Sequence, residues 1–136
     1  MTLQRNTDEW WAALDSYVQS RQDTPFAWGV QDCCTFAADW VTLATGTDPM
    51  QDLRGLDSAL AAHRKLDDLG GMLAAVDSRM GDHIAGPMAQ AGDVVMVTLE
   101  SGVKAMALCL GAWLCIPAEN GLVMLPITNA EAAWRV

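Results

Sequence analysis

Apolar residues recur at three- and four-residue steps between residues 10 and 80, whereas short continuous apolar runs separated by Gly and Asn follow residue 90. The first pattern is typical of amphipathic helices that pack one face against a core. The second is typical of short strands joined by tight turns. The sequence therefore predicts an α+β fold, in which N-terminal helices pack on a small C-terminal antiparallel sheet.

The helical pattern divides into four segments. The first can be capped by Thr7 or Asn6. Its apolar face comprises Trp10, Trp11, Leu14, Tyr17 and Val18. The second helix is predicted to end at Gly46, and two shorter helices are predicted over residues 56–66 and 72–80, each followed by glycine.

The strand pattern predicts a four-stranded meander. Its strands are Val94–Leu99, Val103–Leu110, Trp113–Ile116 and Leu122–Leu125. Ser-Gly, Gly-Ala and Asn-Gly pairs separate these runs and favour tight turns. Asn129 is predicted to cap a final half-turn of helix over Ala130–Ala133, with Trp134 packing back on the sheet.

Composition and charge narrow the classes of function. The chain has 136 residues, of which 51% are hydrophobic and 18% charged, so a single domain over residues 1–136 is expected. The net charge of −9, from 17 acidic and 8 basic residues, argues against nucleic-acid binding, since no Lys or Arg cluster is present to neutralise phosphates. No apolar run is long enough to span a membrane, no signal peptide is recognised, and no cofactor is implied.

The four cysteines fit neither a disulfide framework nor a metal site. Cys33 and Cys34 are adjacent, whereas Cys109 and Cys115 lie far away in apolar strand runs. This spacing lacks the C-x-x-C pair of a typical zinc ligand set. We therefore expect reduced thiols, with Cys34, Cys109 and Cys115 as core residues, and no bound metal.

The segment Trp28–Thr35 is the richest in candidate chemistry. Gly29 can adopt the positive φ of a tight turn, and Asp32 is a favourable helix N-cap, so Cys33 is predicted to lie in the first helical turn. Unsatisfied N–H groups and the positive end of the helix dipole stabilise a thiolate at that position. Cys33 thus has two interpretations, a nucleophile or a small residue packed where helix and sheet meet, and we favour the second.

A series of short motifs spans nearly the whole chain. In order they are Pro25-Phe26-x-Trp28-Gly29-x-x-Asp32-Cys33, Phe36-Ala37-x-Asp39-Trp40, Gly46-x-Asp48-Pro49, Arg54-Gly55, Gly92-Asp93-Val94-Val95, Asn120-Gly121-Leu122 and Ala133-Trp134-Arg135-Val136. Taken together, they resemble the small bacteriophage tail proteins of the DUF6950 type, which are distantly similar to the NlpC/P60 cysteine peptidases. The resemblance implies an NlpC/P60, papain-like scaffold.

The same resemblance assigns roles to three positions. In the peptidases an Asp-Cys pair at a helix start supplies the nucleophile, a Gly-Asp pair opens the first long strand, and a His heading the next strand is the base. Asp32-Cys33 and Gly92-Asp93 match the first two elements, but Ala105 stands where the His is expected. An alanine cannot take the thiol proton or protonate the leaving amine, so we expect catalysis to be lost.

The two histidines of the chain are the remaining candidates for a base. His63 lies on the predicted 56–66 helix and is interpreted as a partly exposed helix residue. His83 lies in the loop before the sheet and is the candidate for a displaced base, because a loop can reach over a helix N-terminus.

Other polar and aromatic residues are assigned structural or contact roles. Arg54, Asp48 and Asp39 are predicted to form a buried ion pair that holds the 47–56 loop to the second helix. Asp93 is expected to accept hydrogen bonds from local N–H groups. The candidates for a protein interface are Trp10, Trp11 and Trp113.

The functional expectation follows from the resemblance and from the missing base. It is a structural component of a bacteriophage or prophage tail tip, made in the host cytoplasm and docking on hub and tail-tip subunits. The first alternative is a tail-associated peptidase or amidase that cleaves cell-wall peptidoglycan with Cys33 as nucleophile. The second alternative is a tail-assembly chaperone that leaves before the particle is finished.

Overall fold

The structure, a computed structural model, describes residues 9–136 and has an α+β fold of four helices and a six-stranded antiparallel sheet. The helices are α1 (Trp10–Arg21), α2 (Cys33–Thr45), α3 (Ala59–Asp68) and α4 (Met72–Met80). The strands are β1 (Ile84–Ala85), β2 (Val94–Thr98), β3 (Lys104–Cys109), β4 (Trp113–Ala118), β5 (Gly121–Pro126) and β6 (Ala132–Trp134). The predicted α+β class and all four predicted helices are thus confirmed.

The helix ends follow local capping chemistry. Gly46, in the left-handed conformation with φ 80°, ends α2 and donates its N–H to the Thr42 carbonyl. Helix α3 begins at Ala59 rather than at residue 56, because the Ser58 hydroxyl oxygen caps it by accepting the Ala61 N–H at 3.1 Å. The predicted caps Thr7 and Asn6 lie outside the described residues.

The sheet contains the predicted meander and two additional strands. The strand order is β1-β6-β2-β3-β4-β5, so β2 to β5 form the expected run of antiparallel neighbours. The predicted half-turn of helix over Ala130–Ala133 is wrong, since β6 pairs with β2 in the register Val94↔Trp134 and Met96↔Ala132. The free edge of β2 offers unpaired N–H and C=O groups, and pairing with them outweighs the weak local preference for helix.

Strands β2, β3 and β4 are buried on both faces along most of their length, whereas much of β5 is exposed. One face of the sheet packs against α1 and α2 through a cluster that includes Phe36, Trp40, Val94, Leu108 and Trp134. The other face is covered by irregular segments around two 3₁₀ turns at Gly86–Met88 and Ile127–Asn129, and its buried residues include Val95, Val97, Ala107, Leu114 and Ala133. Two-sided burial explains why β2, β3 and β4 read as continuous apolar runs rather than as alternating patterns.

Helix α2 is held by polar contacts as well as by its apolar face. The buried Trp40 indole donates to the Gly92 carbonyl at 2.8 Å, and the Tyr17 hydroxyl donates to the Phe36 carbonyl at 2.5 Å. These bonds tie α2 to the start of the sheet and to α1, and they set the position of Cys33 beside β3. Among residues 9–136 no helix has the length and apolar character needed to cross a membrane.

Candidate functional site

The turn before α2 is organised by one buried carboxylate. Asp32 accepts the Thr35 N–H at 2.8 Å on one oxygen, and on the other it accepts the Gly29 N–H at 2.7 Å and the Thr35 hydroxyl at 2.9 Å. Gly29 has φ 79°, and a Cβ there would lie 3.3 Å from the Leu56 carbonyl oxygen. The predicted cap and turn are therefore confirmed, and both oxygens of Asp32 are committed to them.

Cys33 and Cys34 form a pair of half-buried thiols at the helix start. Their sulfurs lie 4.0 Å apart, and all four cysteines of the chain are free. The hydrogen bond shared with Cys34 lowers the pKa of Cys33, with help from the Met106 backbone and against the opposing effect of burial. The same hydrogen bond, together with burial and the charge of Asp32, raises the pKa of Cys34. Cys33 is thus the more acidic thiol.

Ala105 lies on β3, the strand against which the start of α2 packs. It pairs with Val97 of β2, and it is 3% exposed in the apolar cluster that Cys33 also contacts. The Met106 backbone is near enough to the Cys33 sulfur to affect its pKa. The side chain at the position expected for a base is therefore a buried methyl group.

The two histidines lie in different environments. The His83 ring Nδ1 is 3.0 Å from the Asp77 carboxylate, and the ring is edge-on to Trp134 at 6.1 Å between centroids. His63 is exposed on α3, and its side chain lines a cavity that Cys33 also lines. Across residues 9–136, no hydrogen bond joins either imidazole to the Cys33 sulfur.

That cavity has a volume of about 380 Å³ and lies between α2, α3, α4 and the turn from β2 to β3. Its walls are mainly aliphatic and include Val41, Leu53, Leu66, Met72, Val76 and Met106. We define it as the Cys33 cavity. The sequence did not indicate it, because its walls come from helices that share no motif and meet only in the folded chain.

The 47–56 loop after α2 is held by ion pairs between side chains that are partly exposed rather than buried. Arg54 donates to Asp39 at 2.6 Å and to Asp48 at 3.1 Å, but these side chains are about one-quarter to one-third exposed. Arg21 also donates to Asp39 at 2.9 Å and to the buried Gln31 at 2.7 Å. The predicted ion pair is present, its predicted burial is wrong, and Arg21 is the member that sequence spacing did not reveal.

Two acidic residues tie the sheet to its surroundings. Asp93, which is buried, accepts the Gln90 N–H at 2.9 Å, as expected, and also the Val136 N–H at 3.2 Å. Asp77 accepts the Trp134 indole N–H at 2.9 Å. Burial raises the pKa of Asp77, but the hydrogen bonds from Trp134 and His83 outweigh it, so the pKa lies below its ordinary value.

The three tryptophans predicted at an interface differ in exposure. Trp11 is 64% exposed and Trp113 is 53% exposed, whereas Trp10 is partly buried against the helix-facing core. Met124, 47% exposed, is opposite Cys115 in the β4–β5 pairing, so it shares a sheet face with Trp113. Exposed aromatic side chains of this kind are frequent anchors of protein interfaces.

Within the described part of the chain, no group of three or more His, Cys, Asp or Glu side chains is arranged to hold a metal ion. Residues 5–136 match a family model described as "Domain of unknown function (DUF6950)". No curated protein matches the chain.

Proposed function

The chain belongs to the DUF6950 family, and we propose that it is a structural component of a bacteriophage or prophage tail tip that uses an NlpC/P60-like scaffold without catalysis. In this proposal the protein docks on hub and tail-tip subunits. The family description names no activity, so the proposal draws on the motif resemblance and on the geometry around Cys33.

The observation that carries the non-catalytic part is the environment of the Cys33 sulfur. The hydrogen bonds that act on the sulfur come from the Cys34 thiol and from the backbone of Met106 and Cys34, and Ala105, whose side chain is only a methyl group, belongs to an apolar cluster against which Cys33 packs. A positioned base contributes about 10²–10⁴-fold to a proton-transfer step. Without one, even a thiol of lowered pKa lacks the group that protonates the leaving amine.

The arrangement of elements supports the scaffold part of the proposal. A helix that begins with Cys33 packs on the strand that carries Ala105, and the preceding strand β2 begins directly after Asp93. This matches the order of nucleophile helix, Gly-Asp strand and base strand in the peptidases that the sequence resembles.

The docking part of the proposal is supported by the exposed aromatic residues. Trp11 on α1 and Trp113 at the start of β4 present large apolar side chains to solvent. The net charge of −9 favours partner surfaces that carry basic residues.

The first test measures hydrolysis directly. Purified protein incubated with fluorogenic muropeptides is expected to show no turnover above a Cys33→Ser control.

The second test concerns location: an electron-microscopy map of the tail end is expected to contain the chain, with Trp11 or Trp113 at a subunit contact. Turnover that depends on Cys33 would overturn the non-catalytic part of the proposal. Tails from which the chain is missing would overturn its role as a tail-tip component.

One observation favours the peptidase alternative. Cys33, whose pKa is lowered, shares its cavity with the imidazole of His63. If His63 served as the base, Cys33→Ser and His63→Ala would both abolish turnover, whereas His83→Ala, which alters the ring held by Asp77, would preserve it. This pattern in the muropeptide assay would replace the structural proposal with a hydrolase.

The chaperone alternative differs only in the fate of the chain. A structural component stays in the finished particle, whereas an assembly chaperone leaves it. Mass spectrometry of purified particles is expected to detect the chain at a stoichiometric level. Its presence in assembly intermediates alone would support the chaperone.

A further inference from the structure

We propose that the Cys33 cavity binds a long-chain carboxylate, with its hydrocarbon tail among the aliphatic walls and its head group near Lys65 and Arg79. The inference goes beyond the tail function proposed above and does not depend on it.

The size and the walls of the cavity point to an apolar ligand body. Its volume of about 380 Å³ lies within the range of about 300–1,000 Å³ that is typical of small-molecule pockets. The aliphatic side chains that define it offer few polar groups, and the two thiols at one wall are only weak hydrogen-bonding partners. An elongated hydrocarbon chain matches such a lining.

Charge indicates the sign of the head group. Although acidic residues outnumber Lys and Arg by 17 to 8 in the chain, the cavity is lined by the basic residues Lys65, Arg79 and Lys104 but by only one acidic residue, Asp32. Arg79 is paired with Asp52 and Lys104 with Glu131, outside the lining, whereas Lys65 has no ion pair among residues 9–136. Asp32 is committed to capping α2. A cationic lining in an acidic protein is complementary to an anion.

Two of these cations, Arg79 and Lys65, can still bind an anion: Arg79 has an unsatisfied hydrogen-bond donor, and Lys65 has no ion-pair partner among residues 9–136. The Arg79 Nε–H is buried and has no hydrogen-bond acceptor among the described residues, although the other guanidinium nitrogens donate to Asp52 and to the Pro49 carbonyl. Lys65 forms no ion pair with any residue from 9 to 136, and its charge acts on the same Asp52 carboxylate that Arg79 binds. Buried donors are rarely left without an acceptor, so a carboxylate oxygen is a suitable partner here.

Isothermal titration calorimetry of the full chain with dodecanoate, below its micellar concentration, tests the proposal. Saturable binding at a single site is expected. In the series octanoate, decanoate and dodecanoate, each added pair of methylenes is expected to lower the dissociation constant about 15-fold, because burying one methylene contributes about 0.8 kcal/mol. Dodecyltrimethylammonium, which carries a similar tail and the opposite charge, is expected to bind at least tenfold more weakly.

Matched variants locate the site. Lys65→Ala is expected to weaken dodecanoate binding about tenfold, the effect of losing one charge-assisted contact, and to leave dodecanol binding unchanged. Arg64→Ala, at the neighbouring residue outside the lining, is the control. Ala62→Trp is expected to fill the cavity and abolish binding, whereas Ala61→Trp, also on α3 but outside the lining, is expected to retain it.

Several results would overturn the inference. One is the absence of saturable dodecanoate binding, even if an apolar peptide from a partner protein bound instead. Another is equal affinity for the cationic amphiphile. A third is an equal response to the Lys65 and Arg64 substitutions, which would place the ligand outside the cavity. Circular dichroism of each variant separates loss of binding from loss of folding.

Discussion

The thiol pair at the start of α2 shows how neighbours set the chemistry of one residue. Cys33 and Cys34 are adjacent in sequence and are both half-buried, yet the pKa of the first is lowered and that of the second is raised. Their shared hydrogen bond accounts for both directions, because the thiol that accepts is stabilised as a thiolate and the thiol that donates must keep its proton. Reactivity in this pair is therefore expected at Cys33.

Alkylation with iodoacetamide between pH 6 and pH 9 tests this asymmetry. Because its pKa is lowered, Cys33 is expected to become reactive at a lower pH than a free cysteine, and its rate should rise with pH as thiolate forms. The Cys34→Ala variant removes the hydrogen-bond partner that lowers the pKa of Cys33, so labelling of Cys33 at pH 7 should slow. Intact-protein mass spectrometry measures the rate.

The control for this measurement is the Cys33→Ala variant, in which only Cys34 remains at the helix start. Cys109 and Cys115 are buried in strands, and burial raises the pKa of Cys115 to about 12, so both should stay unlabelled. Faster labelling of Cys34 than of Cys33 at pH 7 would contradict the assignment.

Among the secondary-structure elements, strand β6 is the one whose position depends most on contacts between residues outside the strand. Its three residues follow a 3₁₀ turn at Ile127–Asn129 that lies against a second 3₁₀ turn, Gly86–Met88. A Cβ added at Gly86 would fall on the backbone carbonyl of Ala130. The route of the chain into β6 therefore requires a residue without a side chain at position 86.

Gly86→Ala is expected to lower the free energy of unfolding by about 3 kcal/mol, because the added methyl group meets backbone rather than a flexible side chain. Gly102→Ala is the matched control. Gly102 has φ +86° and open space around it, so its substitution should cost only about 1 kcal/mol of backbone strain. Urea denaturation with a constant m-value measures both. Equal losses in the two variants would show that the close approach at Gly86 is unimportant.

At the scale of the whole molecule, helices and sheet share one core. Trp40 of α2 and Trp134 of β6 are both at most 1% exposed, and both belong to the cluster that α1 and α2 form with the sheet. Neither layer can keep this apolar surface from water without the other. Loss of one layer should therefore be coupled to loss of the other.

Unfolding of the chain in urea is accordingly expected to be a single transition, with coincident midpoints for far-UV circular dichroism and tryptophan fluorescence. Leu108→Ala, at a fully buried position of β3, should lower both midpoints together and cost about 2–5 kcal/mol. Val123→Ala, at a 45% exposed position of β5, should change stability by less than about 0.5 kcal/mol. Separate midpoints would indicate that the helices and the sheet unfold independently.

The sequence by itself determined the elements whose causes are local. Asp32 and Gly46 act through bonds to backbone a few residues away, so both ends of α2 could be located from capping chemistry. Helical spacing placed Leu14 and Tyr17 on the buried face of α1, but it placed Trp11 there as well, and Trp11 is 64% exposed. The start of α3 was predicted at residue 56 and lies at Ala59. The position of Cys33 at a helix start was accessible for the same reason.

Only the tertiary structure decided what depends on distant partners. Strand β6 exists because β2 had a free edge, Arg21 reaches Asp39 because α1 packs on α2, and the Cys33 cavity exists because α3 and α4 close over α2. Each involves residues far apart in sequence, and short-range patterns carry no information about which surfaces meet. The physical reason is that burial and pairing are gained from the whole fold, whereas caps and periodicity act within a turn or two of backbone.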